Sequence, residues 1–163
     1  MLENILNTLE STGICAHQLE LDIKESAIME NIDSASSTMR ALHSSGIRIS
    51  VDDFGTGYSS LSHLKRFPIN TVKIDGSFIR DITTDPDDAA IVGAIIAMAH
   101  DMGFKVIAEG VETQQQLDYL HSLQCDEVQG FLFSPPVPHQ EACALLDQCI
   151  EIQQPVASQC SAS

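Results

Sequence analysis

The chain reads as an α/β protein built from parallel βα units, and three observations predict this. Short aliphatic and β-branched runs alternate with longer helix-like stretches, several of those stretches stop just before a glycine, and three of the short runs alternate polar with apolar residues. With 163 residues, 44% of them hydrophobic, the chain has the size and apolar content of one domain with a real core.

The elements follow in order. A helix over Glu3–Thr12 leads in and ends before Gly13. The first strand, Gln18–Ile23, contains "LELDI", in which Leu19, Leu21 and Ile23 share one face and Glu20 and Asp22 the other. A helix over Ala35–Ser45 ends before Gly46 and feeds the strand Arg48–Phe54, where Val51 opposes Ser50 and Asp52. Asp53 follows at once. It is expected to escape the pleat because the strand gives way there to Phe54 and Gly55. In the third strand, Thr71–Asp75, Val72 and Ile74 oppose Lys73 and Asp75. The helix Pro86–Met102 precedes Gly103; its most apolar run, Ala89–Ala99, is too short to cross a bilayer and is expected to be buried. A strand over Lys105–Val111, a helix over Thr113–Leu123, a strand over Glu127–Phe133 and a helix over His139–Ile150 complete the series. The Gln/Ser/Ala-rich stretch Glu151–Ser163 has no periodicity and is expected to be a disordered tail.

Parity narrows the architecture. An open α/β sheet has helices on both faces, so both should be apolar. A barrel turns its apolar alternates out to the helices and keeps functional groups at its mouth. The three alternating strands favour the barrel. Five strands are visible where a closed barrel needs eight, at about 30 residues per unit in about 250. The expectation is therefore an incomplete TIM-like (β/α)8 barrel.

Charge and cysteine content bound the function. The 23 acids and 8 bases give a net charge of −15, which argues against a basic groove for duplex nucleic acid. The five cysteines, Cys15, Cys125, Cys143, Cys149 and Cys160, are odd in number and lack C-x-x-C spacing, so neither a zinc site nor a disulfide framework is indicated. An acidic residue, Glu3, stands in the first three positions, where a secretory leader would have a basic and then an apolar run. A cytoplasmic location is expected.

The chemistry-bearing residues gather near the carboxyl ends of the strands: Asp22, Asp52 with Asp53, Lys73 with Asp75, Glu109 and Gln129. That is the end where βα proteins place their sites. Converging carboxylates repel unless protonated or bridged by cations, and oxygen ligands without cysteine suggest Mg2+ or Mn2+. Any one of these aspartates alone would read as a helix cap or turn former; their shared position is the signal. A lysine between Val72 and Ile74 needs a partner, and Asp75 lies on its face. A structural ion pair is the bland reading of that pair, and a role in catalysis or ligand positioning the sharper one. None of the six histidines shows metal-ligand spacing, and no phosphate-cradling glycine loop is present. The "DFGTG" at Asp53–Gly57 lacks the other motifs of a kinase. A Schiff-base aldolase using Lys73 is the weakest alternative, since neighbouring carboxylates would keep the amine protonated.

The stretches "LELDIKES", "VDDFGTGYSSLSHLKRFPINTVKIDGSFIRDI", "VIAEGVET" and "VQGFLFSPPVP", in this order, resemble the EAL family of cyclic di-GMP phosphodiesterases over about residues 1–148. The resemblance implies a modified (β/α)8 barrel that hydrolyses cyclic di-GMP to linear pGpG with two Mg2+ or Mn2+ ions. It implies metal ligation by Asp22, Asp52, Asp53 and Glu109, and a water-holding role for Lys73. Asp75 and Gln129 become supporting groups. The resemblance further implies that Glu25 steadies the loop Phe54–Leu61 and that a homodimer would form through that loop. Two departures stand out. Asp22 replaces a glutamate and Lys24 a threonine of the family pattern, and the E-A-L strand and asparagine strand are not in the sequence. The reading is thus of the carboxyl-terminal part of an EAL domain over residues 1–150, inactive by itself, with an upstream sensory or GGDEF domain in a parent protein. A non-catalytic module that binds cyclic di-GMP or a protein is the alternative.

Overall fold

The structure, a computed structural model, describes residues 2–57 and 64–147. In chain order these form α1 (Leu2–Thr12), a 3-10 turn (Ala16–Gln18), β1 (Glu20–Lys24), α2 (Glu25–Glu30), α3 (Ile32–Ser44), β2 (Arg48–Phe54) and β3 (Thr71–Ile74). Next come α4 (Gly76–Arg80), α5 (Pro86–Asp101), β4 (Lys105–Glu109), α6 (Gln114–Ser122), β5 (Glu127–Gln129) and α7 (His139–Asp147). The chain to Phe133 is one compact unit; from Ser134 a second begins, whose described helix is α7. The end of the helix expected to Ile150 and the tail Glu151–Ser163 lie outside the described residues.

All five strands are parallel and stand in the order β1-β2-β3-β4-β5. A doubly wound sheet reverses its strand order at a switch point, whereas sequential order is the progression of a (β/α)8 barrel. The expected fold class is what the sheet displays. Its outward face carries Ile49, Val51, Val72, Ile74, Val106 and Ala108, all buried. Against it pack Met39 and Leu42 of α3, Ile79 of α4, Val92, Ile96 and Ala99 of α5, and Leu117 and Leu120 of α6. Each such aliphatic side chain, fully buried, contributes about 1.5–3 kcal/mol. The other face holds the charged alternates.

Boundaries differ from expectation where turn chemistry wins. The first strand starts at Glu20, not Gln18, because the Gln18 side chain accepts the Cys15 N–H at 3.2 Å and closes a 3-10 turn. The third helix starts at Ile32 rather than Ala35, capped by the Asn31 side chain on the Ser34 N–H at 3.0 Å. Two helices were not expected, α2 and α4. The last strand stops at Gln129 instead of running to Phe133. Gly130 lies so close to the Val111 backbone that a Cβ there would sit 2.0 Å from its carbonyl oxygen, and the chain turns, with the Phe133 N–H returning to the Gly130 carbonyl at 3.2 Å.

Candidate functional site

The pleat of β1 points Asp22 and Lys24 to the inner face, and the register sets Asp22 beside Ser50 and Lys24 beside Asp52. Ser50 Oγ donates a short hydrogen bond to Asp22. On β2 the alternation then breaks. Val51 pairs with Val72, yet Phe54 already pairs with Ile74, so Asp52 and Asp53 together oppose Lys73. This is a β-bulge, and Asp53 takes the left-handed φ of 55° to make it. Phe54 is thereby returned to the buried outer face, and both carboxylates are left for the inner one. The strand does not give way at Asp53, as the alternation argument supposed; it continues to Phe54 across the bulge.

Lys73, with a side chain 13% exposed, is the hub. Its Nζ lies 2.9 Å from Asp22, 2.6 Å from Glu109 and 3.8 Å from Asp52. Carboxylates from β1, β2 and β4 thus meet the lysine of β3. Burial works against its charge, but the hydrogen bonds to Glu109 and Asp22 outweigh burial and hold its pKa above the ordinary lysine value. A lysine held charged in this way is poorly suited to act as a Schiff-base nucleophile, which requires the free amine. For Asp22, burial again opposes the charge, while the bonds from Ser50 and Lys73 prevail and hold it below the usual aspartate value.

The expected partnership of Lys73 with Asp75 does not form. Asp75 instead caps α4, its carboxylate accepting the Ser77 N–H at 2.8 Å. Gln129 pairs in register with Glu109, and its carbonyl accepts the Val111 N–H at 3.0 Å. Glu25 is buried, and its carboxylate accepts the Gly55 N–H at 2.9 Å. A Cβ on Gly57 would lie 2.8 Å from the same carboxylate, so the loop passes too close to Glu25 there for any larger residue to fit without a shift. Residues 58–61 of the expected dimer loop lie outside the described residues.

Two residues acquire roles that the sequence did not reveal. Lys24 Nζ sits 2.7 Å from Asp53, and that bond raises the lysine's pKa, with Asp52 and Asp75 adding to the field. Gln116, buried on α6, accepts the N–H groups of Glu112 and Thr113 at 2.8 and 2.9 Å and donates to the carbonyls of Ile79 and Arg80, each at 3.1 Å. It ties the loop after Glu109 to the helix after Lys73. The capping box formed by Thr113 and Gln116 was the available signal.

Divalent ions suit the donor set in chemistry: every acid here offers hard oxygen ligands. Asp52 Oδ1 is buried and accepts no hydrogen bond, with the Lys73 ammonium 3.8 Å away, so it keeps a lone pair that a cation could take. Among the described residues, however, no three metal-binding groups stand ready around one point. The two lysines already engage the carboxylates. These residues fit a share of a metal centre.

A sequentially ordered parallel sheet with acids and lysines converging at its strand ends defines a domain of the (β/α)-barrel class with a carboxylate-rich mouth. The chain belongs to the EAL domain family, whose model matches residues 1–136. It is 47% identical over 138 residues to the cyclic di-GMP phosphodiesterase NbdA of Pseudomonas aeruginosa, covering 85% of this chain and 18% of that protein. Its structure matches the PaMucR phosphodiesterase in complex with c-di-GMP at TM-score 0.84 and 41% identity, over 86% of this chain and 57% of that one. Klebsiella pneumoniae BlrP1, in a manganese and cyclic di-GMP complex, matches at TM-score 0.78 and 34% identity, over 83% and 34% of the two chains. The chain spans about a fifth of the length of the curated relatives it matches. No helix among the described residues is long and apolar enough to cross a membrane.

Proposed function

We propose that residues 1–150 are the carboxyl-terminal share of a domain that hydrolyses one phosphodiester bond of cyclic di-GMP, giving linear pGpG, with two Mg2+ or Mn2+ ions. The observation that carries this reading is the convergence of Asp22, Asp52 and Glu109 on Lys73 at the strand ends of an EAL-family fold. Asp22, Asp52, Asp53 and Glu109 would hold the ions, which when bound supply Lewis-acid polarisation of the phosphate and a more acidic water. Lys73, kept charged, holds the attacking water or a phosphate oxygen by donation from Nζ. Asp75 fixes the α4 end that follows Lys73, Gln129 supports Glu109, and Glu25 sets the loop that begins at Phe54. A homodimer through Phe54–Leu61, an upstream sensory or GGDEF domain in a parent protein, and a cytoplasmic setting belong to the same proposal. The free thiols Cys15, Cys125 and Cys143 suit a reducing compartment.

Five strands supply only part of the ligands, so the chain alone has negligible turnover. The test is a chimera in which residues 1–136 replace the matching segment of NbdA. Manganese-dependent pGpG production that is lost with K73A supports the proposal; a chimera that folds and binds cyclic di-GMP without turning it over contradicts it. The Lys24–Asp53 pair favours a second reading, a module that binds cyclic di-GMP without cleaving it. Calorimetry with cyclic di-GMP in Ca2+ separates this from the first reading: tight binding by the chain alone, with no pGpG from the chimera, selects the module.

A further inference from the structure

Lys24 has no counterpart in the bland account of the site. Its pairing with Asp53 joins a residue at the end of β1 to the bulged residue of β2, and the register also puts it beside Asp52. The bulge brings Asp53 to the inner face at the cost of a left-handed backbone, so the carboxylate it delivers is an expensive one. That carboxylate is met by a side-chain ammonium 2.7 Å away. The ammonium occupies Asp53 Oδ2, and a divalent ion placed on that same oxygen would stand within a few ångströms of a like charge and be repelled by it.

We propose that Lys24 is a tethered cation that competes with a divalent ion for Asp53, so that this chain takes up metal there only by displacing its own side chain. The inference rests on the reading of Asp52 and Asp53 as metal-holding groups. The displacement is feasible: the Lys24 side chain is 65% exposed and can swing into water, whereas Asp53 is fixed by its backbone. Lys73 differs in this respect. It is mostly buried among several acids and stays in place. The ligand class is a hard divalent cation, and the consequence is an ion at Asp53 whose apparent affinity is lowered by the free energy of displacing Lys24.

The experiment titrates Mn2+ into the full chain, with bound ion read by water-proton relaxation, for wild type, K24Q, K24R, D53N and the K24Q/D53N double variant. K24Q is expected to bind Mn2+ roughly three- to tenfold more tightly, with the gap shrinking as potassium chloride is added, because an exposed pair is screened. K24R stays near wild type, and D53N erases the difference between Lys and Gln at position 24. Equal Mn2+ affinity of K24Q and wild type, with D53N still weakening both, overturns the competition while leaving the metal reading intact. Absence of Mn2+ binding in every protein, K24Q included, overturns the inference for this chain, and the same titration of the NbdA chimera then decides the metal reading by itself: Mn2+ bound there keeps it, and none bound there overturns it. A metal-free arm follows the 13C signal of reductively methylated Lys24. Movement of that signal in D53N supports the ion pair, and a signal indifferent to D53N overturns it.

Discussion

The two ends of the inner face handle charge differently. At the amino ends of the strands, Arg48 pairs with Glu20 at 3.3 Å and Lys105 pairs with Glu127, one base to one acid across neighbouring strands. At the carboxyl ends, Asp22, Asp52, Asp53 and Glu109 crowd around two bases among the described residues, Lys24 and Lys73, with Asp75 close enough to be felt by Lys24. Paired charges of equal number need nothing further. An excess of carboxylates does, because like charges at short range raise the energy of the folded state unless a cation arrives. Balance at one end and imbalance at the other therefore mark the carboxyl end as the part of the sheet proposed to bind and the amino end as the part that only has to be stable.

The largest break in that contrast comes from Lys73. In the chimera, K73A leaves Asp22 and Glu109 without their shared donor and takes away the group proposed to hold water or a phosphate oxygen. Turnover should fall about 100- to 1000-fold, the range seen when a preorganised electrostatic group is removed. Steady-state pGpG production checks it, and a loss below about threefold would place Lys73 outside the chemistry.

Next in size is Gln116. It satisfies four backbone groups with one buried amide, and Gln116→Ala strands them. A stability loss of about 2–3 kcal/mol is expected from denaturant unfolding, since each buried group left unpaired costs about 1–3 kcal/mol before any rescue by water. The same amide joins the loops following β3 and β4, and Gly110 there lies so close to Gly76 that a Cβ would sit 3.1 Å from its Cα. Loosening this seam should therefore blunt the mouth while leaving the amino end unaffected.

Strand parity exposed the sheet, its inner face and the strand-end acids, because alternation is written into three or four consecutive residues. The helices α2 and α4 were hidden for the opposite reason: at six and five residues they complete too little of a helical period to leave a pattern. Apolar Phe131–Phe133 looked like continued strand, and only the contact of Gly130 with Val111, eighteen or more residues upstream, ends it. Parity also paired Lys73 with Asp75, the local choice. The true partners lie on three other strands, and such meetings are set by register, which no single segment encodes. The bulge at Asp53 is of the same kind, visible only once β3 is laid beside β2.

A smaller effect lies in the pH dependence of the mouth. The Asp22 pKa in the folded chain is below its ordinary 3.8, so its stabilising contribution is fully present above that pH and is lost as pH falls through the lower folded value. Lys73 behaves in the mirror sense. Its folded pKa is raised above 10.5, so its contribution is present below that pH and fades only as pH rises through the higher folded value. Urea midpoints measured from pH 3 to 7 should fall on the acid side in wild type and fall less steeply in Asp22→Asn. An unchanged acid limb in that variant would remove Asp22 from the balance.

The smallest effects belong to the amino end, and they sharpen the contrast by being small. The Lys105 and Glu127 side chains are 41% and 50% exposed, so water screens their pair, and Lys105→Met should cost about 0.5 kcal/mol or less in denaturant unfolding. Arg48→Met should cost slightly more. Glu20 is less exposed than Glu127, and its Oε1 is already buried without a hydrogen bond, so removing the guanidinium leaves that carboxylate with less compensation. A value near 1 kcal/mol is expected, reduced by added salt. Losses above about 2 kcal/mol in either variant would mean that the amino end is a buried network like the mouth, and the division of the inner face into a stable end and a binding end would fail.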